Sequence, residues 1–375
     1  MPTTEATSLE PQSLTEQAQR VAGEHAAYTP FAANLAQLAA AIDTEAQLTA
    51  SGRERARSAL VSSLVTQAHT ARLVARQPAI RDIEIKPIVI TGLYRSGTTF
   101  LQHLLAQHPD LNSPRLWELM APASDDDETA LIAAARAYVD EYYRAAPQFR
   151  AIHELGADLP EECHRLLGVT FASPIYALRY RIPAYAAWLD AQDLRVAYAY
   201  HRLLLQCVLR RRTGGHVVLK CPTHLWQMSA LAAEYPQATV VRLHRSPVVA
   251  VPSICSLTTV VRSARSDAVD RAEIGAYWLD RVGLAVKRLS EPVALTTAPL
   301  DIRYADLIAD PLGIAERICN RIGVPLTPEV RERMTAFLSR PGHAGRGNTY
   351  TPEEFGFSTA ALESHFAGYI ADYGL

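Results

Sequence analysis

The sequence carries no excess of either charge: 37 lysines and arginines stand against 39 aspartates and glutamates, for a formal net charge of −2. Without a basic field, neither nucleic acid nor an anionic membrane surface is an expected partner, and any bound anion must be held by local geometry. Cysteine is scarce and unpatterned. Its five residues, Cys163, Cys207, Cys221, Cys255 and Cys319, include no Cys-x-x-Cys pair, which argues against a disulfide scaffold and fits reduced thiols in a cytosol. Long apolar runs are missing too. Met1 to Arg20 is polar and acidic, unlike a secretory signal, and no later stretch reaches the ~18 residues that a membrane span needs. A cytoplasmic protein with no integral membrane segment is expected, and oligomerisation is left open.

What is present is an ordinary globular composition with recurring strand and helix signals. Residues 31–77 are rich in alanine and leucine at helical spacing, with a break expected near Ser51-Gly52. Pro87 to Ile90 is a short β-branched run that meets Gly92, and Thr98 to Gln107 resumes a helical pattern. Further strands are expected at Val217–Leu219, Thr239–Leu243 and Leu300–Tyr304, followed by helices at 224–234, after Pro247 and at 311–322. Such alternation predicts an α/β fold, a P-loop-type parallel sheet flanked by helices, with ligands at the carboxyl ends of the strands. Residues 1–86 form a helical amino-terminal segment in this reading. The main domain then spans 87–375 and carries a helical cap insertion at 123–216 on the acceptor side.

Gly92 to Thr99 has the spacing of a phosphate loop, with Thr98 where the usual lysine would stand. Two glycines in such a loop let successive backbone N–H groups turn toward an anion at the positive end of the next helix. Ser96, Thr98 and Thr99 would add hydroxyl donors. The aspartate that nucleotide hydrolases place at a neighbouring strand end, to hold magnesium, is missing: the equivalent positions hold Lys220 and His244-Arg245. Basic strand ends point to a metal-free anion contacted by Arg95, Lys220 and Arg245.

Four separated blocks, Gly92–Pro109, Leu219–His224, Val241–Leu257 and Arg346–Phe357, together resemble the sulfotransferase superfamily, in particular its bacterial branch with an arginine-bearing loop. The resemblance implies 3′-phosphoadenosine 5′-phosphosulfate as donor and no metal. It places Gly97, Thr98 and Thr99 around the 5′-phosphate, Arg95 at the bridging oxygen in place of a lysine, and Phe100 beside the adenine. Arg245 and Ser253 match the pair that grips the 3′-phosphate, and Arg346-Gly347 the loop that folds over it. Lys220 would contact the transferring sulfuryl oxygens.

Transfer to a hydroxyl or amine also needs a base. His224, four residues beyond Lys220, and Glu118, which follows the loop helix, are the two candidates; Glu161 and Glu162 are possible cleft carboxylates without an assigned role. Aromatic residues between Phe171 and Tyr200 form either an acceptor wall or core. The acceptor is expected to be a small molecule, lipid or carbohydrate. A kinase using the same loop, or a catalytically idle relative that only binds donor product, are the alternatives.

Overall fold

The computed structural model describes residues 7–23, 30–212, 215–340 and 350–375. Three helices precede the sheet: α1 (Pro11–Ala22), α2 (Ala32–Glu45) and α3 (Ala50–Arg76). The polar start therefore contains a helix, with Leu14, Ala18 and Ala22 buried along one face as an i, i+4, i+8 stripe. The break in the helical stretch also falls earlier than Ser51-Gly52. Thr49 caps α3 by accepting a bond from the Gly52 amide at 3.0 Å, so Ser51 and Gly52 lie in its first turn. Glycine is required there by packing, because an added Cβ would lie 2.0 Å from the Arg265 carbonyl oxygen.

The sheet has five parallel strands in the order β2-β3-β1-β4-β5. β1 (Lys86–Gly92), β3 (His216–Lys220), β4 (Thr239–His244) and β5 (Leu300–Arg303) match the expected strands closely; β2 (Leu111–Asn112) is only two residues long and gives no sequence signal. Alternation along β1 serves both faces. Ile88 and Ile90 pack with Leu101, Leu104 and Val241 on one side, while Val89 joins Leu93 and Val240 on the other.

Helix α4 (Thr98–Leu105) follows β1. Between β2 and β3 lie α5 (Leu116–Met120), α6 (Glu128–Ala145), α7 (Phe149–Ile152), α8 (His164–Gly168), α9 (Ile175–Arg179), α10 (Pro183–Asp190) and α11 (Arg195–Leu209). The acidic run at 125–128 starts α6, with the Asp127 carboxylate capping the Thr129 amide. After β3 a 3₁₀ turn at Pro222–Trp226 precedes α12 (Met228–Glu234), and β4 leads into α13 (Pro247–Ser263) and α14 (Arg271–Leu289). Tyr304 opens α15 (Tyr304–Ala309) instead of ending the last strand. Parallel pairing sends every carboxyl end to one side, so the loops after β1, β3 and β4 converge. Among the described residues no helix is long and apolar enough to cross a membrane.

Candidate active site

The turn after β1 is fixed by close backbone approach. Gly92 has φ +146° and lies so near β4 that a Cβ would sit 2.3 Å from the Leu243 carbonyl oxygen; Gly97, at φ +89°, would bring one within 3.0 Å of the Tyr304 ring. Arg95 adopts φ +68° without glycine's freedom. It is held from both ends. Its carbonyl accepts a bond from Arg245 Nη1 at 2.6 Å, and its guanidinium donates to the Ile152 carbonyl at 2.9 Å and to Ser253 Oγ at 3.3 Å. Backbone strain of this kind persists only where surrounding contacts over-determine it.

Gly97, Thr98, Thr99 and Phe100 line a cavity of about 390 Å³, together with Arg95, Arg245 and Ser253. The loop, the end of β4 and α13 thus bring together most of the sequence-expected donor residues. Arg245 stacks over the Tyr304 ring at 4.2 Å. Among the described residues, neither Arg95 nor Arg245 has a carboxylate within ion-pair distance; the hydrogen-bond partners of both are neutral. Two cations left without counter-ions, next to the first-turn amides of α4, form a site suited to an anion with several oxygens.

Opposite the loop, residues 160–163 cross the end of β3. The Glu161 amide donates to the Pro114 carbonyl and the Cys163 amide to the Lys220 carbonyl, both at 3.1 Å. This crossing delivers Glu162 to the cavity. Lys220 Nζ, itself 1% exposed, donates to Glu162 Oε1 at 2.6 Å and to Thr99 Oγ1 at 3.1 Å. On the other oxygen, His164 Nδ1 lies 3.0 Å from Glu162 Oε2, while Arg179 Nη2 lies 3.3 Å from His164 Nε2. Arginine can only donate, so the imidazole proton sits on Nδ1 and is directed to the carboxylate. Burial pushes His164 down to about 4, which keeps it neutral near pH 7. Burial would raise Glu162, but the Lys220 charge and the His164 hydrogen bond outweigh it and hold the carboxyl well below its usual range. Beside it, Glu161 faces His153 at 3.7 Å, and both line the cavity.

Several expected site residues lie elsewhere. His224 is fully buried off the cavity, with Nε2 at 2.9 Å from Cys163 Sγ and Nδ1 at 2.7 Å from the Tyr198 hydroxyl. Burial lowers it to about 3. With no access and no spare nitrogen, it is a core histidine. Glu118 is likewise spent: Arg212 Nη2 reaches both its oxygens at 2.6 Å, and one of them also caps the Arg115 amide at 2.7 Å. Lys220 sits behind Thr99 and Glu162 instead of lining the cavity, so it orients those two side chains. Ser96 is buried with Oγ donating to the Leu93 carbonyl at 2.6 Å, which ties the turn to itself. Arg346 and Gly347 lie outside the described residues.

Of the aromatic segment, Phe171, Tyr185 and Tyr198 are buried core, whereas Tyr176 and Tyr180 border a second cavity. The residues that sequence reasoning left without a role are Glu162, His153, His164 and Tyr304. Adjacent carboxylates at 161–162 directly after a proline were the one available signal.

Glu162, His164 and Cys221 place their ligand atoms within 4.8 Å of one another, a spacing open to a metal ion. The donor chemistry opposes one. The Lys220 ammonium already occupies one Glu162 oxygen, and the His164 nitrogen facing the other carries the proton it donates to that carboxylate.

Comparison with known proteins gives a consistent result. The model of the sulfotransferase family matches residues 87–328. The omega-hydroxy-beta-dihydromenaquinone-9 sulfotransferases Stf3 of Mycobacterium bovis and Mycobacterium tuberculosis are each 27% identical over 310 residues, covering 77% of this chain and 75% of theirs. Among solved structures, sulfotransferase STF1 from Mycobacterium tuberculosis superposes with a TM-score of 0.82 at 29% identity, over 95% of this chain and 98% of that one. Sulfotransferase STF9 from Mycobacterium avium shares the fold, with a TM-score of 0.85 at 24% identity over 97% and 96% of the two chains.

Proposed function

The chain belongs to the sulfotransferase family and is a sulfotransferase; from that premise we propose that it takes its sulfuryl group from 3′-phosphoadenosine 5′-phosphosulfate and passes it to the hydroxyl of a small-molecule or lipid acceptor, with Glu162 as base. The first-turn amides of α4, with the Thr98 and Thr99 hydroxyls, hold the 5′-phosphosulfate. Arg245 and Ser253 hold the 3′-phosphate, and Phe100 flanks the adenine. Arg95 lies between these two groups and stabilises the charge that develops on the departing phosphate; being always protonated, it cannot act as the acid.

Sulfuryl transfer forms one S–O bond as another breaks. The acceptor oxygen attacks sulfur, the electron pair of the breaking bond stays with the 5′-phosphate, and the acceptor proton passes to Glu162. A carboxylate held ionised by Lys220 and His164 is a weak base, but it suffices, because a hydroxyl proton becomes strongly acidic once its oxygen bonds to sulfur. The observation that carries this reading is the Lys220 bridge, which fixes Glu162 and the loop residue Thr99 to one ammonium group. A lipid hydroxyl as acceptor is supported by the Stf3 relatives, whose named substrate is an omega-hydroxylated menaquinone.

Calorimetry tests the donor: adenosine 3′,5′-bisphosphate should bind without any divalent metal, and adenosine triphosphate with magnesium should not bind. The reverse result would favour a kinase. Glu162→Gln should lower kcat by ~10²–10⁴ with the bisphosphate Kd unchanged, whereas His153→Gln should stay within about tenfold of the parent, well short of the full loss of a positioned base. Product formation at near-parental rate by Glu162→Gln would remove the base assignment. Absence of sulfated product from every acceptor, with bisphosphate still bound, would point to an idle relative.

A further inference from the structure

A second cavity, of about 590 Å³, adjoins the first and shares with it the side chains of Tyr138, Tyr142, His164, Arg165, Ile175 and Arg179. One wall is the amino-terminal helix α3, which lies before the stretch matched by the family model and contributes Arg55, Ser58, Ser62, Ser63 and Thr66. Its charge is one-sided. Arg55, Arg165, Arg179 and Arg265 surround it, and among the described residues none of them has a carboxylate within ion-pair distance; the nearby carboxylates Asp43, Glu161 and Glu162 pair with Arg53, His153 and His164. Glu54 and Glu141, the acidic residues among its described walls, are exposed on the solvent side.

The arginines are also incompletely satisfied. Arg265 is 9% exposed, donates from Nη1 to the Val261 carbonyl at 2.6 Å and lies over the Tyr142 and Tyr180 rings at 5.7 and 5.9 Å. Its Nε, like the Nε atoms of Arg55 and Arg165, is buried without a hydrogen-bond partner. The first cavity, which Glu162 also lines, carries an apolar surface formed by Phe149, Leu155, Leu178, Leu257 and Val261.

From that sequence of surfaces, and resting on the sulfuryl-transfer reading above, we propose that the acceptor is an amphiphile with an anionic group. Its hydroxyl lies at Glu162, an apolar spacer crosses the first cavity, and a carboxylate or phosphate at the far end is bound by the arginines of the α3-walled chamber. A purely isoprenoid tail would instead cover four arginines that have no anionic partner, which the arrangement penalises.

The test titrates the enzyme, with and without adenosine 3′,5′-bisphosphate, with 12-hydroxydodecanoate, its methyl ester and 1,12-dodecanediol. The carboxylate should bind at least ~10-fold tighter than either neutral compound, a preference that one charge-assisted contact supports. Arg55→Gln should erode that preference. Ser62→Glu, at an exposed position on the chamber wall, should abolish it while leaving the bisphosphate affinity unchanged. Equal binding of the three compounds, or no binding of the carboxylate by enzyme that takes the bisphosphate, overturns the proposal. Failure to bind bisphosphate, with the carboxylate preference intact, counts against the donor reading and not against the chamber.

Discussion

At the scale of single residues, similar side chains receive opposite roles from their surroundings. His224 and His164 are both buried and both neutral near pH 7, yet only His164 turns a ring nitrogen toward a cavity carboxylate. His224→Ala should therefore lower stability by about 2–4 kcal/mol, through a cavity and a stranded Tyr198 hydroxyl, while kcat of the folded fraction stays within a few-fold; urea denaturation and initial rates on the same preparation separate the two. A kcat loss as large as that of Glu162→Gln would restore His224 as the base. Arg245 gives the complementary case. Replacing it with methionine keeps the stack on Tyr304 but removes the charge, and charge-assisted bonds of about 1.5–3 kcal/mol predict a bisphosphate Kd weakened by ten to a hundredfold or slightly more. An unchanged Kd would place the 3′-phosphate elsewhere.

At the scale of elements, the helices before the sheet are joined to the catalytic part by backbone contacts. The Thr49 amide donates to the Arg265 carbonyl at 2.9 Å, and Gly52 packs against the same carbonyl, so the start of α3 is fastened just beyond the end of α13. Gly52→Ala should force the two apart. Overpacking of this kind typically costs about 1–3 kcal/mol, and because Arg265 lines the second chamber, acceptor KM should rise while the bisphosphate Kd holds. Thermal denaturation with the two binding measurements checks this; a fully stable variant with parental KM would show that the fastening does not matter. The phosphate loop and strands were legible because glycine spacing and β-branched runs are local backbone requirements. The break before α3 was misplaced for a related reason: a glycine selected for close packing looks, in sequence, like one selected for a turn.

For the whole molecule, burial of histidine makes stability depend on acid. His103, His164 and His201 are pushed down to about 4 and His224 to about 3, with burial the leading cause in each. In the unfolded chain these residues titrate near the ordinary value of about 6.5. Between about pH 6.5 and 4 the unfolded state thus binds more protons than the native one, so stability rises with pH across that window and is lost as pH falls. Each fully engaged histidine contributes about 1.4 kcal/mol per pH unit. Urea midpoints measured from pH 7.5 to 4.5 should fall steeply below 6.5; a flat profile would mean that these imidazoles are hydrated.

The sequence by itself determined the parallel α/β sheet, the phosphate-type loop and the basic strand ends, since each depends on residues adjacent in the chain. The resemblance also matched Arg245, in the turn before α13, with Ser253 in that helix. Only the tertiary structure decided which carboxylate meets the strand-end lysine beside the phosphate loop. Glu162 reaches Lys220 and Thr99 because residues 160–163 cross the end of β3, while Glu118 is claimed by Arg212. Access, charge pairing and proton affinity are set by burial and by neighbours remote in sequence, and no spacing rule along the chain encodes them.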